Sequence, residues 1–216
     1  TDGSSRFHKD ARWGTFWSVG ANWRVSKEAF MEDVEWIDNL SVKASYGEQG
    51  NDNIGTYYAW QSLYSLSYAN SNQIGAFVST LENKGISWEK NGNLNVGFEA
   101  AMFDNRLKLN VEYYNKKTTD MLLNYPMALS TGFSGYDANV GDMRNSGVEF
   151  EIKGTPVRFD DFEWNVTFMG STTKNEVLKL TATTPEIISG VYSIKEGNPI
   201  NTFYMAKSAG VDPATG

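Results

Sequence analysis

LNVGFEAAMFDNRLKLNVEYYN, residues 94–115, decides the fold. Leu94, Val96, Phe98 and Ala100 fall on one face of an extended segment, with Asn95, Gly97 and Glu99 on the other. After Asp104-Asn105 the alternation resumes, Leu107, Leu109, Val111 and Tyr113 against Lys108, Asn110, Glu112 and Tyr114. A period of two marks a strand with one apolar face. Asx residues accept the positive φ of a tight reversal, so the spacing predicts two strands joined by a very short turn at Asp104-Asn105. Soluble strands run about 5–6 residues, whereas a tilted membrane-spanning strand needs about 9–11. Both arms sustain the longer length. They read as a hairpin of an outer-membrane barrel.

Working outward, the same pattern recurs. Trp17, Val19, Ala21 and Trp23 alternate with polar or small neighbours over Thr15–Arg24, and Leu40, Val42, Ala44 and Tyr46 do so over Asn39–Gly47. Val148, Phe150 and Ile152 mark a fifth strand. After a turn at Asp160-Asp161, Phe162, Trp164, Val166 and Phe168 mark a sixth. Between the first two, Ser26–Asp33 reads as a helical turn with Ser26 as its N-cap. Further strands are expected around Gly190–Lys195 and Thr202–Ala209. Two connections, Glu48–Ser87 and Thr118–Asp142, read as long polar-aromatic loops.

Long loops alternate with shorter turns, so the long ones gather on one side of a meandering sheet. No apolar face carries a charge, while the opposite faces carry Lys43, Glu99, Lys108, Glu112, Glu149, Glu151, Lys153 and Glu163. The predicted fold is therefore all-β, an antiparallel meander forming part of a large outer-membrane β-barrel. Lipid meets the apolar face, the lumen is polar, the periplasmic turns are short and the extracellular loops long. A soluble sheet with one wet face shares the alternation. Strand length and loop asymmetry favour the barrel. Trp17, Trp23, Tyr46, Tyr113 and Trp164 then fit interfacial aromatic belts, or else a lipid-facing or core aromatic at no special depth.

Composition bounds the chemistry. The 216 residues contain no Cys and one His, His8, so disulfide, thiolate and His-rich metal sites are excluded. A net charge of −7 argues against a nucleic-acid partner. No apolar run approaches the roughly 18 residues of a membrane helix, but a barrel hides its apolar band in alternate residues. Asp104-Asn105 and Asp160-Asp161 read as hairpin turns rather than catalytic carboxylate pairs. Asn51-Asp52-Asn53 with Gly55 lacks EF-hand spacing and reads as a loop turn. The sequons at Asn39 and Asn165 lie within predicted strands, where a glycan does not fit. No phosphate loop, nucleophile elbow or metalloprotease motif is present. Neither an enzyme nor a cofactor site is expected.

Three segments carry a resemblance: SYGEQGN (45–51), ISWEKNGNLNVGFEAAMFDNRLKLNVEYYNKKTTDMLL (86–123) and STGFSGYDANVGDMRNSGVEFEI (130–152). With GNPINTFYMAKSAGVDPATG (197–216), they resemble the barrel of the SusC/RagA family of TonB-dependent outer-membrane transporters of Bacteroidetes. WEK, the FDNRL hairpin, YYNKKT, and NVG with RNSGVE are specific to that group rather than to barrels at large. The resemblance implies import of oligomeric nutrients, glycans more often than peptides, through a plugged barrel of about 22 strands. It implies a SusD-like surface lipoprotein over the barrel and energy from the TonB complex, reached through an N-terminal plug and box. Neither plug nor TonB box is read in residues 1–216, and six to eight strands do not close such a barrel. A partial receptor barrel domain is the expectation.

Under that resemblance, Tyr57, Tyr58, Trp60, Tyr64 and Tyr68, together with Phe133 and Tyr136, are candidates to stack on sugar rings. The same residues suit packing the loops on themselves or against a lid protein. Lys43, Glu99, Glu112, Glu149 and Glu151 either line the substrate path or simply solvate the interior. Three classes stay open: an energised importer, a soluble glycan-binding β module, and a passive structural or adhesin-type barrel.

Overall fold

Apolar residues that alternate along the chain meet one another across the ladder. Trp23 lies opposite Val42, Val42 opposite Phe98, Phe98 opposite Val111, and Val111 opposite Phe150. One row in parallel runs Ala21, Ala44, Val96, Tyr113, Val148; another runs Leu40, Ala100, Leu109, Ile152, Phe168. Such rows form only if every strand keeps the same register, because a one-residue slip turns each side chain to the other face. The computed structural model describes residues 1–71, 73–208, 210–211 and 214.

The strands are β1 (Ser18–Trp23), β2 (Ile37–Asn51), β3 (Glu89–Met102), β4 (Leu107–Thr119), β5 (Asp142–Phe159), β6 (Phe162–Ser171) and β7 (Lys174–Lys179). The first six lie side by side in chain order, all antiparallel. β7 continues the line of β6 along β5, with a break at Thr172-Thr173. The break is accommodated by Gly147. A Cβ there would collide with the Thr172 carbonyl and come within 2.8 Å of Tyr114 Oη.

Several strands outrun the predicted ones. Alternation ends where side chains on both faces are polar or small, but the hydrogen-bond ladder does not. β2 continues past Gly47 to Asn51, β3 begins at Glu89, and β5 begins at Asp142. β1 is shorter than Thr15–Arg24. The β3–β4 turn is wider than Asp104-Asn105: Phe103, Asp104 and Asn105 all take positive φ, at 57°, 55° and 61°. Phe103 tolerates this because its N–H donates to the Trp36 carbonyl and its ring stacks on Trp36. Asp160-Asp161 forms the expected turn.

Other expectations need correction. Ser26–Asp33 is not a helix but two 3-10 turns, Val25–Lys27 and Ala29–Met31; neither buries a residue, and neither has a side-chain cap. Ser26 lies inside the first of these. The loop Glu48–Ser87 contains a hairpin, Leu63–Asn70 with Gln73–Thr80, and Thr118–Asp142 contains another, Leu122–Pro126 with Gly135–Asn139. Near the C-terminus, Glu186–Ser189, Tyr192–Lys195 and Thr202–Phe203 form a small sheet. The strand expected over Thr202–Ala209 stops at Phe203, and Ala209 lies outside the described residues.

Burial is distributed unlike that of a soluble domain. The sheet's apolar face stays open, with Val96 41% exposed, Trp164 54% and Phe168 62%. The fully buried large side chains, Phe7, Ile86 and Val177, sit at the loop end instead. There, residues 1–17 and the two long connections form one small core around Phe7, Ala59 and Ile86, joined by Trp60, Trp88 and Leu122. A second core gathers Ala138, Val140, Val177, Leu180 and Ile187. The chain thus builds a wall bare on one side, topped by a packed loop layer.

Candidate functional site

The wall's polar face is organised around Lys43. Its Nζ lies 3.2 Å from Glu99 Oε1 and 2.9 Å from Glu112 Oε2, so one cation bridges carboxylates on two successive strands. Register extends this row from Asn22 through Lys43, Gly97 and Glu112 to Glu149 and Ser171. Glu149 has no ion-pair partner among the described residues. Next to it, Glu151 is held by Lys153 at 2.8 Å. Nearer the turns, Asn165 Nδ2 donates to Glu163, and Thr155 Oγ1 donates to Asn165 Oδ1. A charged, hydrogen-bonded surface therefore backs directly onto the apolar one.

At the loop end, polar side chains tie the loops to the strands. Glu89, opening β3, accepts hydrogen bonds from Asn51 Nδ2, Asn91 Nδ2 and the Leu122 N–H. Trp88 wedges edge-on against Phe7 and Phe16 while its Nε1 donates to the Arg12 carbonyl. Asn139 clamps the backbone of Ser87, and Val140 fills the second core. Asn175 Nδ2 donates to Asn145 Oδ1 at 2.6 Å, and its Oδ1 accepts from the Ile200 N–H at 2.7 Å. These are the WEK, NVG and RNSGVE residues. Their distinctive identities follow from fastening the loop layer to a barrel wall.

The family described as TonB dependent receptor-like, beta-barrel, matches residues 1–211. The chain belongs to this family. It is 36% identical over 210 residues to TonB-dependent receptor P39 of Formosa agariphila, covering 97% of this chain and 20% of that protein. TonB-dependent receptor SusC of Bacteroides thetaiotaomicron is 33% identical over 187 residues, 83% of this chain and 19% of its own length. A solved structure of the RagAB peptide importer in its closed-closed state superposes with a TM-score of 0.87 at 34% identity, covering 98% of this chain and 23% of that one. The chain spans about a fifth of the length of these relatives. The SusC/RagA resemblance is thereby borne out, with the outer-membrane location and the barrel fold.

In a receptor barrel the apolar face meets lipid and the polar face the lumen. Register brings Lys43, Glu99, Glu112, Glu149 and Glu151 together on the polar face of the sheet. The loop aromatics separate into two groups. Tyr57, Tyr58, Tyr64 and Tyr68 expose their rings. Tyr57 lies under the Arg6 guanidinium at 4.5 Å, and Tyr68 meets Phe77 across its hairpin. Trp60 is half-buried against the first loop core with His8 at its edge, Tyr136 packs on the second beside Tyr125, and Phe133 is half-exposed. Of the belt aromatics, Trp17 packs against Tyr46 at the loop end, and Trp23 donates to Glu28 at the turn end. Glu89 and Asn139 escaped the sequence reading. The signal was present: polar residues in family-specific segments where no face alternation required them.

Proposed function

We propose that the chain forms one sector of the wall and mouth of a TonB-dependent importer of oligomeric nutrients, glycans in particular, working with a SusD-like surface lipoprotein. One observation supports this most. An unbroken apolar face backs onto a ladder of bridged charges, the cross-section expected of a wall between lipid and a water-filled passage. A soluble glycan-binding module would bury that face in a core. The exposed rings of Tyr57, Tyr58, Tyr64 and Tyr68 suit the apolar faces of pyranoses, with Phe133 at the rim. Trp60 and Tyr136 support the loops from within. Lys43, Glu99, Glu112, Glu149 and Glu151 keep the passage hydrated and polar. Energy would come from the TonB complex, acting elsewhere in the full receptor.

The test uses the full-length receptor purified from outer membranes. Heat-modifiable mobility, a co-purifying lipoprotein and oligosaccharides released on denaturation are the expected results. Peptides in place of sugars would overturn the cargo class, which the RagAB likeness makes the sharpest alternative. A barrel with neither lipoprotein nor bound oligomer would overturn the importer reading.

A further inference from the structure

The outward face of the wall changes character at its loop end. It is apolar through Tyr46, Leu94 and Val148, and Trp17 and Tyr46 pair where the apolar band stops. One step further along the strands it is charged. Lys117 lies opposite Arg144, and Arg144 opposite Glu176, in the register that puts Tyr113 opposite Val148. The ion pairs agree with that placement. Arg144 Nη2 lies 2.9 Å and Lys174 Nζ 3.0 Å from Glu176 Oε2, and Lys117 Nζ lies 3.6 Å from Asp142 Oδ2. Lys90 and Lys179 occupy the next row, exposed and without ion-pair partners among the described residues.

Five cations thus share the belt with three carboxylates, Glu48, Asp142 and Glu176, in a chain whose net charge is −7. The turn end is biased the other way. Glu28, Glu32, Asp33 and Glu35 outnumber Arg24 and Lys27 in the β1–β2 connection, Asp38 follows at the start of β2, and Asp160-Asp161 forms the last turn. The excess of positive charge sits at one membrane edge only.

We propose that this belt binds the phosphate groups of the phosphorylated glycolipid of the outer leaflet, with Lys117, Arg144 and Lys174 as the anchoring cations. It lies directly above the apolar band, where headgroups sit, and is continuous with the lipid-facing surface. Cations at a membrane surface gain from anionic headgroups and keep their stems along apolar surface. Arg144 spends one nitrogen on Glu176 and keeps further donors for a phosphate, which its planar fork fits. Glu176 gathers Arg144 and Lys174 on one carboxylate oxygen and Asp142 fixes Lys117, presenting the cations as a fixed row rather than a diffuse cloud. The proposal rests on membrane placement and not on the cargo.

The experiment uses the full-length receptor in detergent, with diphosphorylated lipid A as probe and native mass spectrometry as readout. The wild type retains the lipid. The Lys117→Gln/Arg144→Gln/Lys174→Gln variant is expected to retain about tenfold less or lower. Arg24→Gln/Lys27→Gln, which removes two charges at the turn end, retains it like the wild type. Equal retention by the triple variant, or of dephosphorylated lipid A, would overturn the proposal. Displacement by inorganic phosphate at matched concentration would reveal a free-anion site instead and overturn it too. If the triple variant loses heat-modifiable folding, Lys174→Gln alone decides: reduced retention supports the site and unchanged retention removes it. Cargo bound in the same preparations is scored separately, so loss of the importer reading and loss of the lipid site stay distinguishable.

Discussion

Asn139 holds Ser87 by both backbone groups: its Nδ2 donates to the Ser87 carbonyl at 3.0 Å, and its Oδ1 accepts the Ser87 N–H at 2.8 Å. The same Nδ2 reaches the Asp120 carbonyl at 2.9 Å. One side chain therefore joins the two long connections above the wall. Asn139→Ala leaves those part-buried groups unsatisfied, at a cost of about 1–3 kcal/mol to the loop layer. The expected result is faster proteolysis within residues 52–88 while the barrel stays heat-modifiable. Unchanged cleavage would mean that the two connections are held together by their cores alone.

Gly147 lies where β5 passes from pairing with β6 to pairing with β7. A methyl group there meets the Thr172 carbonyl and the Tyr114 hydroxyl, which itself shares a 2.9 Å hydrogen bond with Thr173 Oγ1. Backbone cannot yield as a flexible side chain does, so Gly147→Ala should cost about 3 kcal/mol or more, at the upper end of overpacking effects. Loss of heat-modifiable barrel on expression is the expected outcome. Gly154→Ala is the control, since nothing lies within 4 Å of a Cβ there.

The wall was legible because lipid imposes one rule on one face over many residues. Leu94 to Phe98 and Leu107 to Val111 announce their strands, and register follows from the same alternation. The loop end was not legible in that way. Beyond Gly47 and before Leu94 both faces meet polar surroundings, so the period of two fades though pairing continues to Asn51 and Glu89. The hairpin Leu63–Asn70 with Gln73–Thr80 was hidden for a related reason: register shifts interrupt its pairing near Tyr64 and again before Tyr68. Candidate residues behaved likewise. The five charged side chains of the polar face could be grouped by parity, whereas nothing in a run of aromatics separates the exposed Tyr58 from the packed Trp60.

That separation yields a contrast. Trp60 belongs to a core, so Trp60→Ala should destabilise the loop layer by about 2–4 kcal/mol, somewhat below a fully buried truncation. Its Nε1 is buried without a hydrogen-bond partner among the described residues, so Trp60→Phe sheds an unsatisfied donor and should cost less than about 1.5 kcal/mol. Tyr58→Ala, at an exposed ring, should change stability by no more than about 0.5 kcal/mol while weakening retention of cargo. Proteolysis and oligomer binding, measured on the same three variants, read the two effects apart. Equal binding loss in Trp60→Phe and Tyr58→Ala would assign stacking to both rings.

Lys43 offers a double-mutant cycle. Lys43→Gln leaves Glu99 and Glu112 without their shared cation, and each lost pair is half-exposed, so the barrel should lose only about 1 kcal/mol in denaturant unfolding. Glu112→Gln alone should cost less, because Lys43 keeps Glu99. Combining the two should show coupling of about 0.5–1 kcal/mol. Additive costs would mean that the bridge is solvated through and contributes charge to the polar face without contributing to stability.

Glu176 makes the loop end of the wall sensitive to acid. Hydrogen bonds from Lys174 first and Arg144 second hold its carboxyl below the ordinary value of 4.5. A carboxyl depressed in the folded state adds stability above its unfolded pKa and loses it as pH falls through the folded one. Protonation thus frees both cations below the ordinary carboxylate range and slackens β7 against β5. Amide exchange at residues 142–146 and 174–179, corrected for its intrinsic pH dependence, should accelerate in that window, while β2 to β4 keep their protection. Glu176→Gln should abolish the pH dependence and leave exchange at the faster level throughout. If the wild type shows the same protection on both sides of the window, the carboxylate holds the cations in position without fastening the strands.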